Sequence, residues 1–326
     1  MLLSAGWSKV AMQADKSTDS SVARAAACGK INLTLEIKGL REDGFHDLRS
    51  LAIGVDLFDQ ISCKANPGRG LHLSCSDPSL SSAGNLVWQA AELLASRYDL
   101  APDVEIELIK SIPVGAGMGG GSSDAATALQ LCNDLWRVGV DRSSLASLGA
   151  DLGSDVPLFF SLPSAVITGR GEHVEPVTMH WSGWVVLVFA GVAVSTAEVY
   201  RAWRREDARD MPSGLDADIA CAESATEFAS LLSNHLEPAV FRVSPVVADV
   251  YDKLNKLQVC PVRVSGAGSA LYMLFDEFDT AQEAARLIRN RNIGVETIVA
   301  RAPVDTPPIV REEHTDGDFG RTREIG

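Results

Sequence analysis

The 326-residue chain carries 29 Lys and Arg against 43 Asp and Glu, a formal net charge of -14, which excludes a broadly basic nucleic-acid-binding surface. Its 46% hydrophobic and 22% charged residues match a globular composition, and the length suits two domains. The longest apolar run, Trp184 to Val194, is too short to span a membrane, so neither nucleic acid nor a membrane is an expected partner.

Residues 1–24 lack a charged start followed by an apolar core and are expected to form a flexible leader. Lys30-Ile-Asn-Leu-Thr-Leu-Glu-Ile then alternates, with Ile31, Leu33, Leu35 and Ile37 on one face of a strand. Asp43-Gly44 marks a hairpin reversal, and short strands follow at Leu48–Ile61 and Gly70–Cys75. Asn85–Arg97 is helical, with Leu86, Ala90, Leu93 and Leu94 as its apolar stripe. Val104–Ile109 alternates apolar and acidic residues, as a half-buried strand does.

Next comes Pro113 to Asp124, PVGAGMGGGSSD, in which five of the seven residues Gly115–Gly121 are glycine. Ala125, Ala128, Leu129, Cys132, Leu135 and Trp136 then fall on one face of a helix over 122–136. Ser122 and Ser123 stand where an N-cap belongs, and Asp124 in the first turn, where the helix dipole favours an acid. A strand, a glycine loop and a helix N-terminus together offer bare backbone N–H groups to an anion, and the predicted ligand is a phosphate chain. The loop has no Walker lysine after Gly121. Gly115, Gly117 and Gly120 match a dinucleotide fingerprint, and Asp141 lies about twenty residues on, yet Arg137-Val-Gly-Val leaves little room for the second strand that would carry it. A plain connecting turn would not need so many glycines.

A helix at Ser143–Leu148 precedes Gly149 to Phe160, a polar turn opening onto apolar residues, and Ser164–Val174 reads as strand and turn. Met179–Trp184 is the candidate boundary between the halves. Beyond it the pattern predicts strand Val185–Ala190, a loop at Gly191–Thr196, and helices at Ala197–Arg205, Thr226–Leu232 and Val246–Lys256. A strand, glycine turn and strand over 262–275, helix Thr280–Arg291 and strand Val295–Ala300 complete the half. The tail, 303–326, has three prolines and no periodicity and is expected to be disordered. Six cysteines show neither CxxC nor His/Cys ligand spacing, so no metal site is expected, and free thiols in a reducing, cytoplasmic compartment are.

Four stretches together resemble the GHMP kinase superfamily: Gly29-Lys-Ile-Asn-Leu with Asp43-Gly-Phe-His-Asp-Leu, Pro113 to Ala126, Gly153-Ser-Asp-Val-Pro, and Val264-Ser-Gly-Ala-Gly-Ser. Lys-Ile-Asn with Asp-Gly-Phe-His is similar to the branch that phosphorylates the 2-hydroxyl of a cytidine diphosphate sugar-alcohol, 4-diphosphocytidyl-2-C-methyl-D-erythritol, in non-mevalonate isoprenoid synthesis. Two departures lie beside the expected substrate site: Cys28-Gly29 where Pro-Ala is frequent, and Phe45 where tyrosine is usual. The resemblance implies an α+β fold in two parts, an N-terminal domain over 25–180 and a C-terminal domain over 181–302, with the active site in the cleft between them.

It also implies ATP as phosphate donor, with Mg2+ arriving on the ATP. Pro113, Gly115, Gly117, Met118, Gly119, Gly120, Gly121, Ser122 and Ser123 would cradle the phosphates. Lys30 would supply the missing cation and Asp155 the base, with Asp151 the less favoured carboxylate. Phe45 and Tyr200 would wall a cytosine that His46 reads, and Asn32, Gly266 and Gly268 would line the substrate. The rival readings are a kinase of the mevalonate or homoserine type and a non-catalytic relative that senses a metabolite. A Rossmann oxidoreductase is a third.

Overall fold

The computed structural model describes residues 22–312 and the pair 323–324. Strands β1 (Val22–Asn32) and β2 (Thr34–Leu40) form a ribbon broken only at Leu33, and the reversal at Gly44, φ +82°, returns the chain into β3 (His46–Ala65). The break has a consequence for packing. Ile31 and Leu33 pack into the cluster between the sheets, whereas Leu35 and Ile37 pack with Val240 and Val264 in another. The four alternating residues are all buried, as expected, but serve two cores.

β3 is 20 residues long and organises the first sheet. One edge takes β1 and then β2, both antiparallel. The chain next forms β4 (Leu71–Cys75), α1 (Leu86–Arg97) and β5 (Val104–Ile109), and β5 pairs with the end of β3 on its other edge. Asn85 caps α1 by accepting from the Val87 N–H. Helices α2 (Gly120–Leu135) and α3 (Arg142–Gly149) cover the sheet, before β6 (Ser164–Gly169) fills the remaining edge of β3 and β7 (His173–Pro176) pairs with β6. Asp141, noted above for its spacing from the glycines, is the N-cap of α3.

The second sheet begins with β8 (Gly183–Phe189). After it come α4 (Thr196–Ala202), α5 (Leu215–Cys221), α6 (Ala225–Phe228), a two-residue β9 (Ser233–Asn234), α7 (Glu237–Val243) and α8 (Pro245–Asn255). β10 (Arg263–Val264), β11 (Leu271–Phe275), α9 (Phe278–Asn290) and β12 (Glu296–Ala302) close the sheet in the order β10-β11-β8-β12. β9 instead joins β2 in parallel, so the second half of the chain extends the first sheet. Tyr272 ties the two sheets together from β11, donating its hydroxyl to the Asn32 carbonyl at 3.0 Å.

Several expectations need correction. The helix after the glycine loop starts at Gly120, because Gly119 takes φ +69° and is itself the N-cap; Ser122 and Ser123 are inside the helix and do not cap it. Asp124 is therefore past the first turn, and buried. The helix predicted over Ala197–Arg205 stops at Ala202 because Trp203 is extended, and that over Thr226–Leu232 keeps only Ala225–Phe228. The seven-residue helices α5 and α7 were not predicted.

The expected leader ends earlier than residue 24, since Val22–Arg24 pair with β13 (Val310–Glu312). Its residues 1–21 lie outside the described residues. The start of the expected tail is also ordered: the Val304 N–H donates to the Gly54 carbonyl at 3.1 Å, and Arg311 forms an ion pair with Asp134. Pro307 and Pro308 lie before β13 begins at Val310, so the ladder does not call on the N–H that each lacks. β14 (Arg323–Glu324) pairs with β13, and 313–322 and 325–326 lie outside the described residues.

Candidate active site

The glycine loop leaves β5 and enters α2. Gly115, Gly117 and Gly119 all have positive φ, and the residues between them do not. That alternation turns successive N–H groups toward one concave side, the geometry of an anion-binding nest. Gly117 is required by packing as well as by φ. A Cβ there would lie 2.4 Å from the Ser265 carbonyl oxygen and 2.7 Å from that of Gly268. The loop is thus clamped on the β10–β11 turn, and the clamp is reinforced by Ser265 Oγ donating to the Gly117 carbonyl at 3.0 Å. Met118 sends its side chain into the core, and its carbonyl accepts the Lys30 N–H at 2.9 Å.

Lys30 is near the end of β1 and is only 4% exposed. Its Nζ donates to Asn32 Oδ1 at 2.6 Å and to the Gly117 carbonyl at 2.8 Å, and Asp155 Oδ2 is 3.9 Å away. Burial pulls the ammonium below the usual lysine range, and the Asp155 charge opposes that pull. Asp155 itself keeps 45% of its side chain exposed, so one carboxylate of the pair remains open to a ligand. Gly266 completes this wall at φ +55°, where a Cβ would lie 2.9 Å from Asn32 Oδ1 and 3.3 Å from Lys30 Nζ. A Cβ on Gly268 would meet Val240 and Val264 instead, so that glycine packs away from Lys30.

A second buried charge lies beneath the loop. Lys110 Nζ is ion-paired with Asp59 and, at 2.7 Å, with Asp124. Asp59 Oδ1 also accepts from the Ser111 N–H at 2.5 Å and the Ile112 N–H at 2.8 Å, which fixes the approach to Pro113. Burial alone would lower the Lys110 pKa, but the charges of Asp124 and Asp59 raise it. Burial pushes Asp124 up to about 7 against the pull of Lys110. Lys110→Met would leave Asp59 fully buried beside two N–H donors without a counterion. Stability should fall by about 3–5 kcal/mol in urea unfolding, and a loss below about 1 kcal/mol would contradict this role.

The aromatic residues gather at the start of β3 and the end of α4. The His46 and Tyr200 rings are 5.2 Å apart between centroids, and Trp203 meets His46 edge-on at 5.4 Å. Burial lowers the His46 pKa, favouring a neutral ring. Tyr200 is raised by burial first and by the Asp155 charge second, which ties this cluster to the Lys30 pair. Phe45 stands apart from them: it is 51% exposed, with the Arg170 guanidinium over its ring at 5.4 Å. The structure thus brings Lys30, Asn32, Asp155, Gly266 and the loop together, and His46 with Tyr200. Trp203 and Lys110 were missed. Trp203 follows Tyr200 by three residues, a helical spacing that could have flagged it.

Two family models match the chain, GHMP kinases N terminal domain over residues 85–161 and GHMP kinases C terminal over 218–293. The 4-diphosphocytidyl-2-C-methyl-D-erythritol kinase of Citrifermentans bemidjiense is 36% identical over 260 residues, covering 79% of this chain and 91% of that protein. The chain belongs to the GHMP kinase family. The kinase of the same name from Shouchella clausii is 34% identical, covering 77% of this chain and 85% of its own length. A crystal structure of 4-(cytidine 5'-diphospho)-2C-methyl-D-erythritol kinase superposes with a TM-score of 0.72 at 33% identity, covering 85% of this chain and 98% of that one. Homoserine kinase from Cytophaga hutchinsonii, at 17% identity and a TM-score of 0.68, shares the fold. This member is an ATP-dependent small-molecule kinase with an α+β fold. The family assignment displaces the Rossmann oxidoreductase reading. No described helix is long and apolar enough to cross a membrane.

Proposed function

We propose that this kinase transfers the γ-phosphoryl group of ATP to the 2-hydroxyl of 4-diphosphocytidyl-2-C-methyl-D-erythritol, a step of non-mevalonate isoprenoid synthesis. The observation that carries the reading is the buried Lys30 held against the glycine loop, with the open Asp155 carboxylate beside it. Asp155 accepts the hydroxyl proton, the freed oxygen attacks the γ-phosphorus, and the bond to the β-phosphate oxygen breaks to leave ADP. Lys30 faces the charge that develops on the transferring group, and the loop N–H groups hold the remaining phosphates. Gly115 to Ser123 form the cradle, and Asn32 and Gly266 shape the floor under the alcohol.

Mg2+ would accompany the ATP. Ser123 Oγ and Asp124 Oδ1 are buried and lack a hydrogen-bond partner among the described residues, and such oxygens suit a hard cation. When bound there, the ion would spread the negative charge of the phosphates. The free thiols of all six cysteines favour a reducing, cytoplasmic setting. For the domains, we place 25–180 with the loop and 181–302 with the second sheet.

His46, Tyr200 and Trp203 are the reason to prefer a cytidine substrate over mevalonate or homoserine, neither of which carries a base to stack. ATP consumption should be measured against all three alcohols. Only the cytidine diphosphate substrate should support turnover, and Tyr200→Ala should raise its KM about 5- to 150-fold, the weight of one lost stacking face. Turnover with mevalonate or homoserine instead would overturn the substrate assignment.

A further inference from the structure

Asn32 holds the Lys30 ammonium with its carbonyl oxygen, and an amide side chain has an NH2 of nearly the same shape at its other end. Something must keep the oxygen facing the cation. Asn32 Nδ2 donates to Ser50 Oγ at 2.7 Å, and Ser50 Oγ donates to the Thr34 carbonyl at 2.5 Å. A backbone carbonyl accepts and never donates, so the Ser50 proton is committed to Thr34. Its lone pairs are then turned to Asn32, which must present NH2 to Ser50 and oxygen to Lys30. The polarity of the relay is thus held from both ends, by an ammonium that only donates and a carbonyl that only accepts. We propose that Ser50 is a positioning residue for phosphoryl transfer, fixing the Asn32 amide and through it the Lys30 ammonium.

The surroundings make the relay rigid. Ser50 is 1% exposed and Asn32 is 5% exposed, so solvent does not stand in for a lost partner. The Thr34 carbonyl belongs to the ribbon just past the break at Leu33, and Thr34 is anchored from two sides. Its Oγ1 accepts the Leu51 N–H at 2.8 Å and donates to Asp216 Oδ1 at 2.9 Å. Asp216 is itself held by Arg49 Nε at 2.6 Å. The ammonium has three protons. Asn32 and Gly117 take two, and a fixed Asn32 leaves the third toward Asp155. A flipped amide would set NH2 against the ammonium and oxygen against a hydroxyl with no proton to give. Both contacts would be repulsive.

This inference rests on the reading of Lys30 as the charge facing the transferred group, and the test separates the two. Ser50→Ala, Ser50→Thr, Asn32→Ala, Lys30→Met and the Ser50→Ala/Asn32→Ala pair are compared in the full chain, with thermal unfolding confirming folded protein. Ser50→Ala should lower kcat about 10- to 100-fold, as expected of an orphaned buried donor beside a charge, with the KM for ATP within about threefold of the parent. Ser50→Thr keeps the hydroxyl and should restore most of the turnover. On the Asn32→Ala background Ser50→Ala should have no further effect on kcat, and this cycle decides the matter if the threonine does not fit. Lys30→Met with normal turnover would overturn the Lys30 reading itself. An impaired Lys30→Met enzyme alongside a Ser50→Ala enzyme of normal kcat, or additive losses in the pair, would overturn the positioning role alone.

Discussion

Asp155→Asn should lower kcat by on the order of 10²–10⁴ while ATP affinity stays near that of the parent. The substitution preserves the shape of the side chain and removes its capacity to take a proton. The carboxylate is the exposed partner of the Lys30 pair, so it is the group a hydroxyl can reach. In the proposed mechanism the phosphates rest on the backbone of Gly115 to Gly121, and that cradle does not depend on Asp155. Single-turnover measurement with the cytidine diphosphate substrate, and calorimetric titration with ATP, separate the two effects. Asp151→Asn supplies the control, since Asp151 is exposed in the turn after α3 and should tolerate the change. A folded Asp155→Asn enzyme with near-parental kcat would remove this residue from the mechanism. Attention would then pass to Asp124, the carboxylate with an orphaned oxygen next to the loop.

The parts of this molecule that could be read from its sequence are those whose cause is local. β5 was legible residue for residue because alternation alone produces a half-buried strand, and α1 to within one residue because its apolar positions recur at helical spacing. The glycine loop was legible as a tight strand-to-helix connection, and Gly115, Gly117 and Gly119 do take positive φ there. Its junction with α2 was misread for a local reason too: a left-handed Gly119 caps the helix earlier than the serines could. What stayed hidden depends on contacts across long stretches of chain. Lys110 reads as a surface lysine until Asp59, from β3, and Asp124, from α2, close around it. Ser50 looks like any small residue within a strand, and its role arises only because Asn32 and the Thr34 carbonyl, 18 and 16 residues away in sequence, meet its hydroxyl. The ordered segment 303–312 carries no periodicity, and it is held by pairing with β1 and by Arg311 on Asp134.

Lys30→Met should depress turnover while leaving the fold as stable as before, or more so. The ammonium is buried, and its lowered pKa records how unfavourable that position is for a charge. Its one ionic partner among the described residues is 3.9 Å away and half open to water, so the pair recovers little of the desolvation. Methionine fills nearly the same volume, can pack beside Phe159 and removes the buried charge. Against this stands the loss of two hydrogen bonds, which leaves Asn32 Oδ1 and the Gly117 carbonyl without the ammonium, although Ser265 Oγ still serves Gly117. The opposing terms are each of order 1–3 kcal/mol, so the expected shift in unfolding free energy lies within about 1 kcal/mol of zero. Catalysis has no such compensation. In the proposed mechanism the charge that faces the transferring phosphoryl group is gone, and kcat should fall about 10²- to 10³-fold. Combining Lys30→Met with Asp155→Asn should lower kcat by less than the product of the single effects, because the two groups act on one proton and one phosphoryl group. Thermal unfolding and kcat measured on the same preparations decide the point. A large loss of stability would make Lys30 a structural cation, and strictly multiplicative kinetics would show that it and Asp155 act independently.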